Sequence, residues 1–175
     1  MESGEGQGEG SDKDSVAAVQ SARIMSLRLD MKKGYWTVMS VYAPQTGCPK
    51  HEKDDFYFSL EEAIRSVPLG DHLSIAGDMN GHVGSGRRGV EMVHGGKGIG
   101  LVNPDAERIL DLAIANDLVV CSTFFAKRES QEVIYASGGR RTEVDHILVR
   151  RPALKTVWNV KVLVACSTTA QAIGS

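Results

Sequence analysis

No stretch of this 175-residue chain approaches the ~18 consecutive apolar residues that a membrane-spanning helix requires. Its three cysteines, Cys48, Cys121 and Cys166, are odd in number and lack CxxC spacing. That pattern argues against a disulfide framework or a zinc site and for a reducing compartment. Charge of one sign is also missing: the formal net charge is −2 and the isoelectric point about 6.2. Bulk attraction to nucleic acid is therefore excluded. Any DNA contact must rest on local pairs such as Arg87-Arg88, Arg140-Arg141 and Arg150-Arg151. There is no internal repeat and no long Lys/Arg run. Met1 leads into acidic, glycine-rich sequence rather than a signal peptide, which reads as a soluble intracellular chain.

What is present is globular. Apolar residues make up 42% and charged residues 24%, enough to build one domain with a sizeable core. Residues 1–20, rich in Gly and Glu, read as a disordered tail, with no apolar surface to bury in 2–14. Residues 21–164 form the domain and 165–175 a C-terminal tail. Met25, Leu27 and Leu29 alternate, a turn spans Asp30 to Gly34, and Tyr35–Tyr42 is aromatic and β-branched, which predicts a β-hairpin. From Glu52, residues Phe56, Leu60, Ala63, Ile64 and Val67 recur at helical spacing before Pro68 and Gly70. A short strand, His72–Ala76, follows. The glycine-rich residues 81–100 read as a long, mobile surface loop. Asn103 as N-cap with Pro104 behind it starts a second helix whose Leu110, Ala113 and Ile114 face inward. Further strands are expected at Leu118–Ser122, Glu143–Val149 and Val157–Val164. Strands that directly follow strands imply antiparallel pairing, so the fold class is mixed α/β rather than a purely parallel sheet.

Three segments carry candidate chemistry. In Ile75-Ala76-Gly77-Asp78-Met79-Asn80 a strand ends by presenting a carboxylate and a carboxamide two residues apart. On extended backbone both would point the same way, at the rim of a sheet. Asp78 could ligate a hard cation or activate a water, and Asn80 could hold a phosphoryl oxygen; the plainer reading is an Asp-Asn turn. In Ser40-Val41-Tyr42-Ala43-Pro44 a strand delivers a tyrosine hydroxyl to the same rim, or simply to solvent. Asp145 is flanked by Val144 and Ile147-Leu148-Val149, which predicts a buried carboxylate in need of a partner. That partner is a catalytic histidine, or an arginine or backbone donors. His146 points to the opposite face and is a poor choice. Cys121 reads as a core thiol. The His94–Gly100 stretch lacks the GxxxxGK[ST] spacing of a phosphate loop.

Tyr-Ala-Pro, Gly-Asp-Met-Asn and Val-Asp-His-Ile-Leu, in that order, resemble the endonuclease/exonuclease/phosphatase superfamily, and within it the endonucleases of RTE-clade retrotransposons. The resemblance covers some 140 residues, from Arg23 to Val164. It implies a DNase I-like four-layer α/β sandwich, incomplete here, acting on DNA with Mg²⁺. Tyr42 would contact phosphate, Asp78 would activate or orient the attacking water and weakly hold the metal, Asn80 would accompany it, and Asp145 would be the buried acid orienting a histidine. The family's metal-binding Glu segment and its closing Asp-His pair have no counterpart, so a chain truncated at both ends with weak or absent catalysis is expected. The alternative is a non-catalytic, retrotransposon-derived binding module. A phosphatase for small phosphoesters is the third reading. DNA-cutting relatives also imply a nuclear location.

Overall fold

The computed structural model describes residues 16–86, 88–98, 100–125, 135–137, 140–142 and 145–158. The 1–15 part of the expected tail, Glu143, Val144, residues 159–164 and the 165–175 tail lie outside them. Strands β1 (Val16–Ser21), β2 (Ile24–Met31) and β3 (Gly34–Tyr42) form an antiparallel meander. The β2–β3 hairpin falls where alternation and Gly34 place it, with Gly34 at a φ of 115°. Structure begins earlier than the periodicity does. Val16–Ser21 pairs with β2 as an edge strand although it has no clear apolar alternation.

Helix α1 (Lys50–Ser66) follows the Tyr-Ala-Pro corner and leads to β4 (His72–Asp78), which pairs with β3 in parallel. Helix α2 (Pro104–Ala115) starts as its sequence predicts, with the Asn103 side chain accepting from the Ala106 N–H. Strand β5 (Leu118–Val120) ends sooner than expected. A 3₁₀ turn takes over at Cys121–Thr123, where the Thr123 hydroxyl donates to the Val120 carbonyl. A small β6–β7 ribbon (Tyr135–Ser137, Arg140–Thr142) precedes β8 (Asp145–Arg150), which inserts antiparallel between β4 and β5. The main sheet thus runs β1-β2-β3-β4-β8-β5, with β3–β4 its parallel pair. Mixed pairing matches the expected α/β class.

Both helices lie over one face of this sheet. Ile24, Met39, Val41, Leu73, Ile75 and Leu148 point into that layer and meet Phe56, Leu60 and Ile64 of α1 and Ile109 and Ala113 of α2. A partly buried ion pair between Lys53 and Asp105, 2.8 Å apart, joins the helices. The opposite face is packed at its β8–β5 end by the second cluster, where Val149 meets Phe124, Leu154 and Val157. Burial there pushes the Cys121 thiol up to about 11, the behaviour of a core residue rather than a nucleophile.

The glycine-rich segment departs most from expectation. It is only partly a surface loop: Ser85, Arg88, Glu91 and Lys97 are exposed, whereas Val83, Val93 and His94 are buried and its backbone is fastened to the β5 end of the sheet. Val120 N–H donates to Val93 O, Gly95 N–H to the Thr123 hydroxyl, and Lys97 N–H to Thr123 O. His94 accepts from the Gly96 N–H through Nδ1 and donates from Nε2 to Gly84 O, so it bonds as the neutral Nε2–H tautomer. Glycines here allow backbone to approach backbone; they do not signal looseness.

Two constraints hold the sheet at its ends. At one end, the buried Asp71 carboxylate takes a two-pronged bond from Arg28 (2.7 and 3.1 Å) and another from the Thr37 hydroxyl. The Arg28 hydrogen bond holds the Asp71 carboxyl below the usual carboxylate range. At the other end, Gly77 has a φ of 150°, and a Cβ there would collide with the Val41 carbonyl oxygen. Asp71→Asn is expected to lower stability by about 1–3 kcal/mol near neutral pH, measured by urea denaturation. Because the folded-state pKa is depressed, this contribution is complete above the unfolded value near ~3.9 and vanishes as pH falls through the folded value. The variant and wild type should converge in acid. Gly77→Ala is expected to cost about 3 kcal/mol or more, whereas Gly70→Ala, whose Cβ would meet open space, should change stability by about 0.5 kcal/mol at most.

Candidate active site at the sheet rim

Strands β3, β4 and β8 bring their candidate residues to the same end of the sheet. The ladder pairs Tyr42 with Asp78, and Asp78 with Asp145. Residues opposite one another in a sheet share a face, so the three side chains form a row across neighbouring strands. That row stands on the face away from the helices. Tyr42 is 47% exposed at the end of β3, Asp78 is half-buried, and Asp145 is exposed.

Local sequence explains each placement. Pro44 has no N–H to continue the ladder, so β3 stops at Tyr42. Ala43 is small and buried, and β4 grips it from both sides: its N–H donates to Asp78 O (2.8 Å) and its carbonyl accepts from Asn80 Nδ2 (2.8 Å). Asn80 therefore sits in reach of the rim by a different route from the one its spacing predicts. Its φ is +50°, so the i, i+2 argument for extended backbone does not apply. Asp78 and Asn80 instead converge through a tight turn in which Asp78 Oδ1 accepts the Asn80 N–H at 2.8 Å. These bonds use one carboxylate oxygen of Asp78 and one amide hydrogen of Asn80, so Oδ2 and the second amide hydrogen take no part in them.

Asp145 requires correction. It is not a buried acid: it is the first residue of β8, exposed at the rim beside Asp78. The apolar flank that implied burial belongs to other positions of the strand, Leu148 on the helix face and Val149 beneath the second cluster. His146 does point to the opposite face, as alternation requires, and is buried there. Its Nε2 donates to Gly81 O at 2.7 Å, which ties β8 to the turn carrying Asp78 and Asn80. His146 is thus a positioning residue for the candidate site, a role with no signature in its spacing. Asn103 makes a similar link, its side-chain oxygen accepting from His82 N–H as well as capping α2.

Hard oxygen donors are what the row offers. Carboxylates on facing positions of a ladder can share a divalent cation. Mg²⁺ typically takes one or two carboxylates and completes its shell with waters and phosphate oxygens, so Asp78 and Asp145 fit that ion. Among the described residues no cluster of three or more His, Cys, Asp or Glu forms a denser cage. No helix among them is long and apolar enough to cross a membrane.

No family model matches the chain. Over 145 residues, 82% of its length, it is 30% identical to craniofacial development protein 2 of Tragulus javanicus. It is 29% identical over 145 residues to the Bos taurus protein of the same name. The chain spans about a quarter of those relatives, 25% and 24% of their lengths. Among solved structures, the endonuclease domain of TRAS1, a telomere-specific non-LTR retrotransposon, matches with a TM-score of 0.54 at 14% identity. That match covers 84% of this chain and 60% of the other. Humanized D. rerio TDP2, altered by 14 mutations, matches with a TM-score of 0.50 at 11% identity, over 78% of this chain and 50% of that one. At such identities the structural likeness establishes the fold, and the described sheet with its helices corresponds to part of a DNase I-like domain. In fold the chain is similar to these endonuclease and TDP2 domains, and over 145 residues its sequence is similar to part of craniofacial development protein 2.

Proposed function

We propose that the Tyr42–Asp78–Asp145 row is a phosphodiester-hydrolysing centre and that the chain carries an endonuclease-like domain acting on DNA with Mg²⁺. The observation that carries this reading is the ladder register, which sets two carboxylates and a phenol side by side on an open sheet end. In-line attack on a phosphodiester needs a held water, a stabilised phosphoryl oxygen and compensation of negative charge. Asp78 would hold and orient the water through Oδ2, its other oxygen being fixed by the Asn80 N–H. The Tyr42 hydroxyl would donate to a non-bridging phosphoryl oxygen. The remaining Asn80 amide hydrogen would reach the same oxygen or the water. Asp78, with Asp145 opposite, would hold Mg²⁺, which when bound supplies the positive charge that stabilises the transition state. The similarity to TRAS1 endonuclease supports DNA as the substrate class, and the match to a quarter of craniofacial development protein 2 extends the proposal to that region alone.

The test is nicking of supercoiled plasmid by the purified chain with Mg²⁺, beside Asp78→Asn and Tyr42→Phe. Asp78→Asn preserves an acceptor for the Asn80 N–H, so folding should survive, which thermal melting would check. Weak wild-type nicking that falls to background in Asp78→Asn and stops in EDTA is the expected result. Equal background nicking by all three folded proteins would overturn the hydrolytic reading and favour a non-catalytic binding module.

A further inference from the structure

The outer side of the helix layer, away from the sheet, carries a groove that the rim does not use. Helices α1 and α2 run side by side in the same direction, with Lys53 bonded to Asp105 and Arg108 to Asp54 at 2.6 Å. Beyond those pairs they part around a cleft of about 360 Å³. Its α1 wall is Asp54, Tyr57, Phe58 and Glu61. Its α2 wall is Arg108, Asp111, Leu112 and Ala115. Both sets have i, i+3, i+4, i+7 spacing, so each is one stripe along its helix. A more polar cleft continues the groove towards the helix N-termini, where Lys50, Lys53 and Glu107 line it.

Apolar surface lies in the middle of the groove, with spare negative charge around it. Phe58 is 58% exposed, an unusual setting for a phenylalanine. The Tyr57 ring, met edge-on by Phe56 at 5.2 Å, and Leu112 form the floor beside it. Every cation lining the groove is already bonded to a carboxylate of the same layer: Lys50 and Arg108 to Asp54, and Lys53 to Asp105. Glu107 and Asp111 are exposed and carry no ion pair among the described residues.

We propose that the α1–α2 groove docks a basic, amphipathic helix of a partner polypeptide, its apolar stripe on Phe58 and Leu112 and its Lys or Arg side chains at Glu107 and Asp111. Two facing stripes of this spacing admit a third helix laid along them. From Lys50 to Glu61 the groove follows ~16 Å of α1, the length of about three turns of a bound helix. Charge decides the class of occupant. The unpaired carboxylates repel nucleic acid and acidic peptides alike. A basic segment is attracted, and its aliphatic stems extend the apolar contact around Phe58. The Tyr42–Asp78–Asp145 row stands on the opposite face of the sheet, so a docked partner leaves it open.

The probe is a fluorescein-labelled Leu/Lys model peptide, helical and about four turns long, titrated with the full chain and read by anisotropy. Two controls share its length: a Leu/Glu peptide of the same pattern and a Ser/Lys peptide of the same charge. The Leu/Lys peptide should bind in the ~10–100 μM range, and both controls at least about ten-fold more weakly. Phe58→Ser and Asp111→Lys should each weaken binding by about five-fold or more. Both side chains are exposed, so thermal melting of these variants should stay close to that of wild type. Glu62→Lys, the same charge reversal on α1 outside the groove, should stay within about two-fold. Equal losses in Glu62→Lys and Asp111→Lys, or full binding of the Ser/Lys peptide, would reduce the effect to bulk charge and overturn the assignment. Unchanged binding by Phe58→Ser, or no binding of the Leu/Lys peptide by wild type, would overturn it as well.

Discussion

Contact between two backbones where β3 and β4 end is the constraint on which the rim depends. Gly77 lets the β4 chain lie against the Val41 carbonyl, closer than any side chain would permit. That approach sets the register in which Tyr42 meets Asp78, and the next residues lock it, with Ala43 held between the Asp78 carbonyl and the Asn80 amide. The catalytic reading of Asp78 is inseparable from this packing. The glycine before it matters as much as the carboxylate.

Buried polar groups then bolt the turn after Asp78 to the rest of the domain. His146 reaches it from β8 through Gly81, and Asn103 reaches it from α2 through His82. His94 folds the glycine-rich segment against the edge of the sheet through Gly84 and Gly96. Each is a side chain satisfying backbone groups that no ladder or helix serves, so burial of irregular chain becomes affordable without unpaired polar atoms. Such a scaffold gives a rigid frame for residues that must be placed to within a fraction of an ångström.

Charge is distributed unequally between the two ends of the sheet. At the end away from the rim, Arg28 and Arg150 surround Asp71, and the positive side chains are matched by a carboxylate and carbonyls. At the rim, Asp78 faces Asp145 on one side and Tyr42 on the other. The first arrangement holds the fold together. The second sets two carboxylates at an open edge of the sheet.

Local chemistry was enough to read much of this from the residues. Alternation and Gly34 mark the hairpin, apolar spacing marks α1, and Asn103-Pro104 marks the start of α2, because each signal acts over one or two turns of chain. The motif order also carries the resemblance that singles out Tyr42, Asp78 and Asn80, which the strand ends bring close together. Strand pairing is a different matter, since it depends on partners far away in sequence. Asp145 is exposed because β8 begins at the rim, which the apolar neighbours of that residue do not reveal. Part of the glycine-rich segment, around Val93 and His94, is buried because Thr123 and Val120 supply distant partners for its backbone. Tyr42 and Asp78 meet only once β4 is laid beside β3. Local propensity and pattern specify the elements; long-range register specifies which side chains meet.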